Sequence, residues 1–126
     1  MRRLIVAILL LAVMIFGCFA SYNRLDLLTQ ELAGHVLESD ALLQTGDRAG
    51  ADAILQETYH LWSDHRSMLG ALVRHNELDD IENLFLRTMQ AMDNHDNNEY
   101  FLQSRELYGM LLHIPEMELP SIENIF

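Results

Sequence analysis

Residues 4–20 form an unbroken apolar run directly after Met1-Arg2-Arg3, and no charge returns until Arg24. A helix of about 20 residues reaches roughly 30 Å, the thickness of the hydrocarbon layer of a bilayer. The run therefore predicts an N-terminal transmembrane or signal-anchor helix.

Three fates compete for this segment. Cys18-Phe19-Ala20 before Ser21 offers small residues of the kind that precede a signal-peptide cut, but the apolar stretch is longer than the 7–15 residues such a signal uses. Ile15-Phe16-Gly17-Cys18 resembles a bacterial lipobox, which would make Cys18 a lipid anchor, although Phe16 is bulky for that pattern. Length favours an uncleaved anchor, with Cys18 a small apolar residue of the membrane helix.

Orientation follows from flanking charge. Arg2 and Arg3 favour the cytoplasmic side, which places the N-terminus inside and the C-terminal domain outside a single-pass cell-membrane protein. Beyond the span six Arg face all nineteen acids, and the chain has no Lys. An acidic domain of this kind is repelled by anionic headgroups and stands off the surface. The formal charge of −11 is the wrong sign for a phosphate-backbone binder, so nucleic acid is set aside. A single cysteine excludes a disulfide framework and any CxxC zinc or redox site.

No sustained period-2 alternation or hairpin dipeptide appears, whereas helical spacing recurs throughout. Residues 1–23 are assigned to the membrane segment and 24–126 to an acidic helical bundle. The first bundle helix, 24–44, aligns Leu25, Leu28, Leu32, Val36 and Leu43, and it can continue the membrane helix without a break. Gly46 is the expected C-cap and Asp47 the next N-cap. A second helix, 48–74, aligns Ala51, Leu55, Thr58, Trp62, His65, Leu69 and Leu72. Asn76 and Asp79 read as a capping box for a third, 77–92, which aligns Leu78, Ile81, Phe85, Met89 and Met92. Residues 93–98 are turn chemistry, and a fourth helix, 98–113, presents Phe101, Tyr108, Leu111 and Leu112. Pro115 and Pro120 are expected to end helical structure and leave an extended tail over 119–126 that packs back on the bundle. The sum is an all-α chain: an N-terminal anchor, then a small antiparallel bundle of about four helices.

Glu57-Thr58-Tyr59-His60 has the Glu-x-x-His spacing of di-iron bundles, but only one copy exists and such a centre needs two. Glu57, His60 and Asp64 cluster on the helix face opposite Trp62, which makes them a solvated acidic face and, at most, a weak divalent-cation site. His65 falls on the buried stripe, where a ring hydrogen-bonded to backbone is expected, and His75 sits at the helix corner; both are read as structural, with pH sensing the alternative for His65. Trp62, Tyr59, Tyr100 and Tyr108 are expected in the core. Residues 93–99 carry oxygen ligands but lack the EF-hand's central Gly and terminal Glu. Residues 42–53 look like one tetratricopeptide hairpin, and a solenoid needs about three. No nucleophile elbow and no Gly-rich phosphate loop is present, so no cofactor and no catalytic residues are assigned.

The apolar N-terminal helix, Trp62, His75-Asn-Glu-Leu-Asp-Asp-Ile81, His113-Ile-Pro-Glu and Ser121-Ile-Glu-Asn-Ile-Phe126 together resemble a family of small bacterial proteins, mainly of Gram-positive spore formers, classed as domain of unknown function 4363. The resemblance implies a membrane-anchored helical protein and supplies no catalytic residues. The expected role is a non-enzymatic accessory protein of the bacterial envelope that binds another envelope protein. The alternative is a module that binds a divalent cation or small cationic ligand on its acidic face. The sequence sets no oligomeric state.

Overall fold

Nothing interrupts the first helix where the apolar run ends. In the computed structural model, which describes residues 1–117, α1 is one continuous helix over Arg2–Gln44. Its two halves live in different surroundings. Residues 1–19 are exposed throughout, whereas from Leu25 onward one face is buried: Leu25, Leu28, Leu32, Val36 and Leu43 form the stripe the spacing predicts, with Thr29, Ala33, Ser39 and Asp40 beside it. Ser21 and Asn23 could cap a helix between the halves, but neither ends one here, and without Gly or Pro the helical ladder runs on.

Four further helices follow among the described residues, and no strand: α2 (Arg48–Asp64), α3 (Arg66–Leu72), α4 (His75–Asp93) and α5 (Asn97–Met117). Ser39 of α1 meets Ala51 near the start of α2 and Tyr100 near the start of α5, so both helices run antiparallel to α1. Arg48 meets Met92, and Trp62 meets Glu82, which sets α4 antiparallel to α2. The outcome is the small antiparallel bundle expected on a long N-terminal helix.

Two corners of the bundle are built alike. After α1, Gly46 takes φ 88°, its N–H donates to Leu43 O and the Asp47 N–H donates to Leu42 O, closing the helix end. Asp47 then caps α2 by accepting from the Gly50 N–H at 2.9 Å, and a Cβ on Gly50 would collide with that carboxylate. After α4, His95 takes φ 56°, its N–H donates to Met92 O and the Asp96 N–H donates to Ala91 O; Asp96 then accepts from the Glu99 N–H. Arg48 joins the corners through Met92 O and Asn97 Oδ1. His95 does with a side chain what Gly46 does without one.

Three boundaries differ from the sequence expectation. The single helix over 48–74 is two, because at His65 the backbone N–H turns to Trp62 O while the ring Nδ1 lies 2.9 Å from Leu61 O, the carbonyl that the N–H would otherwise serve. The helix after it begins at His75, with Arg74 at the cap and no side-chain cap bond, so Asn76 and Asp79 do not form a capping box. Helix α5 passes through Pro115 and is described as far as Met117. Pro115 lacks the N–H that would join the helical ladder, and it is buried. The proposed tail over 119–126, with Pro120, lies outside the described residues.

The buried face of α5 is also rotated from the expected one. Tyr100, Ser104, Leu107, Leu111 and Ile114 are wholly buried, Phe101 and Tyr108 are half-buried, and Leu112 is exposed. The polar Ser104 and Gln103 sit inside, which hides this stripe from a search for apolar spacing.

Candidate functional site

The largest chemically distinct surface is the N-terminal half of α1. Leu4, Ile5, Val6, Leu9, Phe16 and Phe19 each keep more than half their surface exposed, and the helix is long and apolar enough to cross a membrane. Aqueous proteins do not expose a patch of this kind without a use for it. Cys18 is exposed on this stretch. Where it gives way to the bundle, an open cleft of about 400 Å³ runs from Met14 and Cys18 to Leu25 and Leu72, the last residue of α3.

Within the bundle, Glu82 of α4 gathers three donors from α2 and α3. Tyr59 Oη donates to Oε1 at 2.6 Å, and Trp62 Nε1 and Arg66 Nη1 each donate to Oε2 at 2.9 Å. Arg66 Nη2 also bonds Asp79 Oδ1 at 2.9 Å. Burial works to raise the Glu82 carboxyl, but the Tyr59 and Trp62 hydrogen bonds and the Arg66 charge outweigh it and hold it below its ordinary value. Phe85, one turn on, packs against both Tyr59 and Trp62 with ring centroids 5.7 and 5.9 Å away. Trp62 is wholly buried and Tyr59 half-buried, so this cluster locks α2 and α3 to α4, with three of the carboxylate's acceptor positions taken by structural donors.

A second polar cluster lies where α1, α2 and α5 meet. Ser39 Oγ donates to Ala51 O at 2.8 Å and shares a 2.7 Å hydrogen bond with Tyr100 Oη. Because a serine hydroxyl has one proton, already given to the carbonyl, Tyr100 supplies the proton of the second bond. Asp40, only 9% exposed, lies beside them with Oδ1 buried and unpaired. Burial pushes the Asp40 carboxyl up, against hydrogen bonding from Tyr100 and Ser104 and the charge of Arg105. Burial likewise pushes the Tyr100 hydroxyl up. Burial disfavours the charged form of the Asp40 carboxyl.

The candidate metal residues do not converge. Glu57, His60 and Asp64 are all exposed on the outer face of α2, and among the described residues no group of three His, Cys, Asp or Glu is placed to hold an ion. His65 is half-buried instead of central in the core, yet its ring bonds backbone as expected. His75 is exposed at the start of α4, with its Cε1 3.8 Å from where a Cβ on Gly70 would lie. Glu82, Arg66, Ser39 and Asp40 escaped notice in the sequence because each looks like a solvated polar residue on a helix. The available signal was position: Glu82 lies one residue from buried Ile81 and three from buried Phe85.

A family model described as Domain of unknown function (DUF4363) matches residues 19–125. No curated protein and no solved structure matches the chain.

Proposed function

The chain belongs to the DUF4363 family, and from that premise we propose that it is a membrane-anchored, non-enzymatic interaction protein of the bacterial envelope, holding its acidic bundle on the extracytoplasmic side. The observation that carries this reading is the continuity of α1, whose first half exposes only apolar side chains after Arg3 and whose second half is a core helix of the bundle. A separable leader has no need to share a helix with the domain it delivers. Here removal at residue 20 would cut within one helix, just before the half-buried Ser21 and Tyr22. Arg2 and Arg3 support a cytoplasmic N-terminus, and the surplus of acids beyond residue 24 supports a domain held off the headgroups.

The polar clusters fit the non-enzymatic part of the reading. The Glu82 oxygens accept from structural donors, Tyr100 gives its proton to Ser39, and Ser39 gives its own to Ala51 O. The test is the intact mass of the protein recovered from alkaline-washed membranes. The proposal expects a chain that retains residues 1–20 without an acyl group; a product beginning near residue 21, or one acylated at Cys18, overturns the anchor.

A further inference from the structure

Among the described residues, the bundle buries one side of α1 and nothing covers the other along its whole length. Outside the membrane segment that uncovered side presents Leu27, Gln30, Gly34, Leu37, Ala41 and Gln44, every one exposed; Leu27 and Leu37 keep 67% and 48% of their surface. Their spacing alternates three and four residues, the repeat that keeps one seam of a helix facing a partner helix. The same register continues backward without a skip through Asn23, Ala20, Phe16 and Val13 into the apolar half. Because α1 has no break, both halves of the seam lie on one side of one helix.

Resting on the anchored reading above, we propose that a second copy of this chain covers this seam, in a parallel, in-register pair of α1 helices. Two features of the molecule select that occupant. A partner confined to the aqueous side would meet the seam only beyond Arg24, whereas a partner that also matches it inside the bilayer must cross at the same height and in the same direction. A second copy does so by symmetry. The seam itself is uncharged: in a domain with six Arg against nineteen acids, no seam position from Val13 to Gln44 carries a charge, so the like charges of two copies meet only at its shoulders. Gly34 has nothing within 4 Å of where a Cβ would stand, which leaves room for close helix approach at mid-seam. Two leucines over the outer seam make a weak zipper in water, and confinement to one bilayer supplies the effective concentration it needs.

Flanking charges give the pair a distinctive signature. Arg24, Glu31 and Glu38 lie on one shoulder of the seam, and Asp26 and buried Asp40 on the other. In a parallel pair Asp26 of one copy faces Glu31 of the other, a like-charged contact. Replacing Glu31 by Arg turns that contact into an attraction.

The experiment is disulfide mapping of the full chain in native membranes, in a Cys18→Ser background, with single cysteines at positions 27, 30, 34 and 37. Leu86→Cys and Leu102→Cys are controls, since both residues are exposed but lie on α4 and α5. The expected result is a homodimeric product several-fold stronger at the seam positions than at the controls. It should rise further with Glu31→Arg and fall at position 34 with Leu37→Glu. Equal yields at seam and control positions, or seam products with the mass of a different protein, overturn the pair while leaving the anchor standing. Recovery of the chain in the soluble fraction of the same samples overturns anchor and pair together.

Discussion

Ser39 on α1 and Tyr100 on α5, 61 positions apart in sequence, share a 2.7 Å hydrogen bond in a wholly buried setting. The bond fixes the register of the two helices, because sliding either by one turn would strand the buried Tyr100 hydroxyl. Ser39→Ala leaves the Tyr100 hydroxyl without that partner and is expected to cost about 1–3 kcal/mol. The double variant Ser39→Ala with Tyr100→Phe removes both groups and should cost less than the sum of the two single changes. Urea denaturation of the four proteins measures the coupling; strict additivity would show that the bond contributes nothing.

Burial in the fold raises the Asp40 carboxyl above its ordinary value. Its folded pKa lies above the unfolded value of about 3.9, so its contribution is fully present below that pH and is lost as pH rises through the folded pKa. Asp40→Asn keeps the shape and cannot ionise, so it should raise stability at pH 7–8 by about 1 kcal/mol while changing little near pH 4. Thermal midpoints of both proteins across that range check the sign. A destabilised Asn variant at pH 8 would show that the charged form is the one the core is built around.

Glu82 acts in the opposite sense. Its folded pKa is lowered, so its contribution is present above the unfolded value of about 4.3 and is lost as pH falls through the folded pKa. Glu82→Gln keeps one acceptor for three donors and should cost about 1–3 kcal/mol at pH 7, with the difference from wild type closing toward pH 3. Trp62 fluorescence reports this locally, since its Nε1 donates to the carboxylate. A gap that stays constant with pH would remove the charge from the explanation.

His95 holds a left-handed conformation, φ 56°, at a corner whose counterpart uses Gly46 at φ 88°. A side chain at such a position costs about 1 kcal/mol relative to glycine. His95→Gly is therefore expected to raise the unfolding free energy by up to that amount, less the entropy gained by the unfolded chain. Gly46→Ala should lower it by a similar amount, and equilibrium unfolding of the pair checks both.

The parts of this fold that were legible in the sequence are those set by apolar repetition and by local caps. Leu25 to Leu43 on α1 and the Gly46–Asp47 corner are of that kind, because their partners lie within a turn or are simply the apolar core. The break at His65 was not legible, since Trp62, His65, Leu69 and Leu72 keep helical spacing straight across it; it arises from a ring-to-backbone bond at Leu61 that composition does not announce. The face of α5 was misplaced because the polar Gln103 and Ser104 are buried, Ser104 beside Asp40 of α1, and that polar core is visible only once α1 and α5 are brought together. Glu82 is the same case: its donors Tyr59, Trp62 and Arg66 precede it by 16 to 23 positions.

Protease treatment of intact protoplasts carrying the full chain tests the central claim most directly. The account predicts that added protease removes the bundle while the membrane is closed, leaving a short membrane-held fragment that contains residues 4–20. A bundle that stays intact until the membrane is opened, or that leaves with the cytosol, would contradict it.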